Sequence, residues 1–324
     1  MKGDGAISQN HARGDGHERR HPHVHGHDHR HAPANFGRAF AIGIVVNFGF
    51  VVVESVYGVI ANSMALLADA GHNFGDVLGL VAAWGASILA RRTPTRRYTY
   101  GLRSTTILAA LSNAVLLLLA VGAIGVEAIQ RLLHPAPVAE HTVIAVSFIG
   151  VVVNGITALM FMSGRKDDLN IRGAFLHMAA DAAVSLGVVI AGFVILSTGW
   201  LWLDPAVSLG IAAIIFLGTW RLLRGSVNLA LDAVPEGIEP DTVRRYLSNL
   251  PDVEKMHDLH IWAMSTTETA LTCHLVMPAG HPDDARIAQI AAELNDRFGI
   301  AHVTIQVETG DPGSVCVLVP DHVV

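Results

Sequence analysis

His72 and Asp76 stand four residues apart in one long apolar segment, and His177 and Asp181 repeat that spacing in another, with no other charged residue inside either pair. On an α-helix, residues i and i+4 share a face, so each segment points an imidazole and a carboxylate at the same spot. Two such helices side by side offer four N/O donors, the number and type that tetrahedral zinc takes. A lone His or Asp in an apolar helix is most often a structural hydrogen-bonding group, or snorkels to an interface. Matched pairs argue otherwise, because each ionisable group at mid-bilayer costs at least ~2.5–3.5 kcal/mol on insertion scales. Asp69 lies three residues before His72 on the same face. It could orient the imidazole, relay protons, or bond to a neighbouring helix near the membrane boundary.

These residues must be held by membrane helices. Of 324 residues, 51% are hydrophobic and 15% charged, with a mean hydropathy of +0.43, too apolar for an ordinary domain in water. Six stretches, 40–60, 64–90, 106–129, 143–162, 174–196 and 201–222, can each span a hydrocarbon core of ~30 Å. No later stretch can. Arg91, Arg92, Arg96, Arg97 and Arg103 fall between spans two and three, Arg165, Lys166 and Arg172 between four and five, and Arg221 and Arg224 after six, whereas the opposite loops hold only Arg131. Positive charge concentrates on the cytoplasmic side, so both termini are expected there, in agreement with an even number of spans.

The expected division is a polar, histidine-rich cytoplasmic tail (1–35), a six-helix transport domain (36–225), a cytoplasmic metal-binding and dimerisation domain (226–310) and an irregular tail (311–324). Residues 1–35 lack an apolar signal-peptide core, so no cleavage is expected. They carry His11 and His17, then His21, His23, His25, His27, His29 and His31 in strict alternation. Such a tract collects zinc, nickel or copper loosely, and its interruptions distinguish it from an affinity tag. Beyond Pro235 and Pro240, which mark a linker, periodicity predicts helix 241–250, strand 253–264, strand 269–277, helix 283–298 and strand 301–308. This αββαβ order is that of a ferredoxin-like α+β sandwich. Cys273 and Cys316 are the only cysteines. With both on the predicted cytoplasmic side, no disulfide is expected, and their number excludes a Cys-based zinc cluster. A net charge of −6, with no basic stripe interleaved with aromatics, excludes nucleic acid as a partner.

Three stretches, Ser63-Met-Ala-Leu-Leu-Ala-Asp-Ala-Gly-His-Asn-Phe-Gly-Asp76, Leu169-Asn-Ile-Arg-Gly-Ala-Phe-Leu-His-Met-Ala-Ala-Asp181 and Asp204-Pro-Ala-Val-Ser208, resemble motifs of the cation diffusion facilitator family, over about residues 37–310. The resemblance implies a homodimeric antiporter that exports zinc from the cytoplasm in exchange for protons, working in a bacterial plasma membrane. The transported ion would be held by His72, Asp76, His177 and Asp181. It further implies a regulatory zinc site in the cytoplasmic domain on His257, His274, His302 and Glu308, although histidines on strand surfaces are common without a metal. No prosthetic group is implied. Two imidazoles favour zinc, with cadmium, cobalt or nickel as alternatives, over manganese or magnesium, which prefer all-oxygen octahedral sites.

The stretch Tyr100-Gly-Leu-Arg-Ser-Thr-Thr106 lacks the Glu or His that some members carry there, and residues 163–172 are too short for the histidine-rich insertion of others. In the first span, Asn47 and Glu54, one heptad apart, are expected to be structural or vestibule groups. A membrane metalloenzyme would need an open coordination position, a general base and room for a substrate, and no such motif is present. A membrane-anchored metal sensor is the remoter alternative, for which six spans with midplane ligands are excessive.

Overall fold

A computed structural model describes residues 37–162 and 169–310, together with Cys316 and Leu318. The histidine-rich tail lies outside the described residues. Six apolar helices come first: α1 Gly37–Ile60, α2 Met64–Ala90, α3 Thr105–Leu133, α4 Glu140–Phe161, α5 Leu169–Thr198 and α6 Leu203–Ala230. The last five are long and apolar enough to cross a membrane, and the described part of the first, Val45–Ile60, is apolar as well. Large side chains such as Val45, Trp84, Leu119 and Leu217 point outward, as lipid requires. The inward stripe (Phe50, Leu66, Val121, Val146, Val188, Ile211 and Ile215) forms one core. Helix α4 packs most extensively on α5, and α3 on α6. Helix α6 continues past residue 225, where the domain boundary was expected, to Ala230, because Arg224, Leu229 and Ala230 are strong helix formers that extend it beyond the apolar stretch.

The start of α2 is clamped. Asn62 turns the chain with φ 53°, and Ser63 caps the helix by accepting from the Leu66 N–H. The buried Asp204 carboxylate, at the start of α6, accepts from the Ser63 hydroxyl and from the backbone N–H of Met64 at 2.7 Å and Ala65 at 3.4 Å. An anion on these otherwise unpaired donors is favoured by the helix dipole. This accounts for the third motif, which ties α6 to the helix carrying His72 and Asp76. Further along α2, a Cβ on Gly75 would collide with Leu117, so glycine lets α3 approach closely beside Asp76.

The C-terminal domain has the element order α7 Pro240–Ser248, β1 Lys255–Ala263, β2 Thr269–Val276, α8 Asp284–Phe298 and β3 Ile300–Glu308. Pro240 is not linker but opens α7, since proline's fixed φ suits the first turn of a helix. Asp283 caps α8 by accepting from the Arg286 N–H, and Gly299 ends it at φ 70°. The sheet order is β1-β2-β3, with β1 antiparallel and β3 parallel to β2. Leu271, Cys273 and Leu275 of β2 pack with Val243 and Leu247 of α7 and Ile290 and Leu294 of α8 into a second core, which leaves the even-numbered residues of β2 on the other sheet face. The register of β1 shifts between His257 and His260, with Asp258 at φ 52°. This bulge flips the alternation: Met256 is buried before it, Ile261 and Ala263 after it. The α2–α3 loop meets this domain through an Arg103–Glu268 ion pair of 2.6 Å, and the first turn of α3 does so through a Thr266 N–H donated to Thr106.

Candidate metal centres

All four residues of the doubled His-x-x-x-Asp spacing meet between α2 and α5. The His177 Nε2 lies 3.2 Å from Asp76 Oδ2 and 3.6 Å from Asp181 Oδ2. The His72 Nε2 lies 3.6 Å from the same Asp76 oxygen and 3.7 Å from Asp181 Oδ1. A tetrahedron with metal bonds of about 2.0–2.1 Å has edges of about 3.3 Å, and all four nitrogen–oxygen separations lie near that length. Asp181 offers a different oxygen to each imidazole. Its side chain is 3% exposed, against 43% for His177, so the cluster is closed on the Asp181 side and open on the His177 side.

Asp69 does not reach the His72 ring. It is fully buried, accepts from Ser185 of α5 at 2.9 Å and lies within hydrogen-bonding reach of Glu54. Glu54, also buried, accepts from Asn73 at 3.4 Å. The His72 Nδ1 is buried with no hydrogen-bond partner among the described residues. Asn47 donates to Met178 Sδ, one residue from His177.

A second cluster forms on the sheet face away from α7 and α8. His257 and His274 face each other across β1 and β2, their rings 5.0 Å apart. Glu308, at the end of β3, places Oε2 3.3 Å from His257 Nε2 and Oε1 2.8 Å from His274 Nδ1. The far side of each ring is braced: His257 Nδ1 by the Leu318 carbonyl at 3.3 Å, and His274 Nε2 by Asp258 at 3.5 Å. Burial alone would raise the Glu308 carboxyl, but hydrogen bonds from Cys316, His257 and His274 hold it below the usual carboxylate range.

His302 is not in this cluster, a correction to the expected ligand set. It shares a face of β3 with Glu308, but six residues at ~3.3 Å each put it about 20 Å away. It is exposed there and meets the Tyr100 ring edge-on at 5.5 Å. In its place stands Cys316, with Sγ 3.5 Å from His274 Nδ1. One donor atom from each of His257, His274, Glu308 and Cys316 lies within 4.8 Å of all the others. Counting cysteines missed this because a mixed site needs only one. The bracing Asp258 lies next to His257 in sequence, and its role depends on the bulge, which alternation alone does not reveal.

Comparison with known proteins agrees with this architecture. Residues 40–229 match the cation efflux transmembrane domain, and residues 235–310 match the cytoplasmic domain of cation efflux proteins. The chain is 36% identical over 276 residues to the zinc transporter ZitB of Escherichia coli, covering 85% of this chain and 88% of that one. It is 34% identical over 277 residues to a cadmium, cobalt and zinc/H(+)-K(+) antiporter of Bacillus subtilis, covering 84% and 89%. To the metal cation efflux system protein CzcD of Cupriavidus metallidurans it is 35% identical over 277 residues, covering 85% and 88%. With both of its domains matched in order and its relatives aligned over most of their length, the chain belongs to the cation diffusion facilitator family of metal efflux transporters.

Proposed function

We propose that this transporter exports zinc from the cytoplasm in exchange for protons, and that His72, Asp76, His177 and Asp181 form the site the two cargoes share. The observation that carries the reading is the convergence of both imidazole Nε2 atoms on both carboxylates. Two nitrogens and two carboxylates suit zinc and, on the same donor set, cobalt, nickel or cadmium. Relatives whose names include cadmium and cobalt support that wider range.

Metal requires neutral imidazoles and ionised carboxylates, so each zinc that binds displaces protons and each set of protons that returns expels zinc. The exposed His177 edge admits the ion, while the buried Asp181 closes the site behind it. Alternating access then follows from rocking of the helices that hold the site relative to the rest. Asp69, bonded to Ser185 and beside Glu54 rather than His72, serves as a proton relay behind the ligands and does not orient the ring.

Both termini lie in the cytoplasm and the protein in a bacterial plasma membrane, a reading supported by the arginine-rich loops and by the bacterial transporters among its relatives. The match to a cytoplasmic domain fits that orientation and a homodimeric assembly. In that domain His257, His274 and Glu308 bind a regulatory zinc that favours one arrangement of the dimer, without the predicted His302. The test is zinc flux in proteoliposomes for wild type and for His72→Ala, Asp76→Ala, His177→Ala and Asp181→Ala. Near-complete loss in each folded variant is expected, and near-normal flux from any one would remove that residue from the path.

A further inference from the structure

We propose that Cys316 is a metal ligand, closing a four-donor site with His257, His274 and Glu308 and so clasping the C-terminal tail to the sheet. This rests on the reading that the cytoplasmic cluster binds zinc, and adds to it a thiolate from outside the region matched to the family domain. The metal is zinc or another divalent ion that accepts sulfur, such as cobalt or cadmium.

Two of the distances match such an ion. With a metal–sulfur bond of about 2.3 Å and a metal–nitrogen bond of about 2.0–2.1 Å, a tetrahedral S–N edge is about 3.5 Å and an N–O edge about 3.3 Å. The Cys316 Sγ to His274 Nδ1 separation is 3.5 Å, and the His257 Nε2 to Glu308 Oε2 separation is 3.3 Å. The tail contributes a second feature. Donation from His257 Nδ1 to the Leu318 carbonyl fixes the tautomer in which the Nε2 lone pair faces the cluster, the arrangement typical of a metal-ligating histidine. On His274, Asp258 lies 3.5 Å from Nε2 while Nδ1 faces Glu308 and Cys316.

Charge points the same way. Among the described residues neither Glu308 nor Asp258 is ion-paired with a lysine or arginine; their ion-pair partners are histidines. Two carboxylates, a thiol and three imidazoles thus lack a permanent cation, and a divalent ion would supply one. The other cysteine offers no rival source of sulfur. Cys273 is 1% exposed and lies on the core side of the sheet.

Cobalt provides the test, because sulfur coordination gives it a charge-transfer band in the near-ultraviolet that nitrogen and oxygen ligands do not. Full-length purified protein carrying Asp76→Ala and Asp181→Ala, to disable the membrane cluster, would be titrated with Co2+. The band should appear, persist in Cys273→Ala and vanish in Cys316→Ser. Visible cobalt absorbance that is lost in His257→Ala but comes with no near-ultraviolet band would overturn Cys316 as a ligand and leave the cytoplasmic site standing. No absorbance sensitive to His257→Ala would overturn both, and a band lost in Cys273→Ala would transfer the role to the buried thiol. A readout independent of Cys316 substitution is alkylation of the thiol in otherwise unaltered protein. Zinc at ten times its dissociation constant should slow it about tenfold, and an unchanged rate in protein shown to bind zinc through His257 would overturn the proposal.

Discussion

The two clusters bring together similar donor groups and differ in how those groups are held. In the membrane cluster, His72 Nδ1 has no hydrogen-bond partner among the described residues, and His177 is 43% exposed. In the cytoplasmic cluster both histidines are braced from behind, by Leu318 and Asp258, and the side chains of His257 and His274 are 2% and 10% exposed. Outer hydrogen bonds fix ring orientation and raise ligand basicity, and losing one typically costs about 10–100-fold in affinity. A site that must release its ion each cycle gains from their absence. A site that holds an ion to set a conformation gains from their presence.

The largest effect expected is from Asp181→Ala, which takes away the carboxylate that meets both imidazoles. Truncating one partner of a buried charge pair in a binding site costs about 2–5 kcal/mol of affinity, and about 1.4 kcal/mol is tenfold, so zinc flux should fall by about 30-fold or more. Unfolding in detergent should change little. Asp204→Ala should do the reverse in part, since a lost helix cap costs about 0.5–2 kcal/mol and a stranded buried donor about 1–3 kcal/mol more. A clear drop in melting temperature is expected, larger than that of Asp181→Ala, and equal melting of the two would undo the distinction between ligand and clamp.

Asp258→Ala sharpens the comparison from the other side. It should weaken zinc binding at the cytoplasmic cluster about 10–100-fold, measured by calorimetry with the membrane ligands disabled, and leave flux at saturating zinc in place. Unaltered affinity would mean that the brace on His274 does not matter. His302→Ala should leave that affinity unchanged, because the residue stands at the far end of β3. Smallest of all is Arg103→Ala: its ion pair with Glu268 is partly exposed and should be worth below about 1 kcal/mol, read as a shift in melting.

The membrane cluster was legible in the sequence because it depends on helical periodicity alone. A spacing of four from His72 to Asp76 fixes their common face, and the repetition at His177 and Asp181 names the partner helix. The six spans were legible for a simpler reason, since length and apolarity suffice. A cluster on strands needs the register as well, and here a bulge at Asp258 and a parallel pairing of β2 with β3 set it. Alternation placed His302 on the correct face but could not give its distance along the strand. Cys316 reaches the sheet from a tail with no periodic pattern at all, so only the fold brings it to His274. Asp204 belongs between these cases: its motif was visible, but its role as the cap of α2 depends on a contact between residues 141 apart.

The central claim is that zinc and protons exchange at the four membrane ligands, and it is tested most directly by recording zinc flux and lumenal pH together in voltage-clamped proteoliposomes. Zinc movement should be driven by an opposing proton gradient, be accompanied by proton movement in the other direction, and both signals should disappear together in Asp181→Ala. Zinc flux indifferent to the pH gradient, with no accompanying proton movement, would contradict antiport and leave a uniporter or channel.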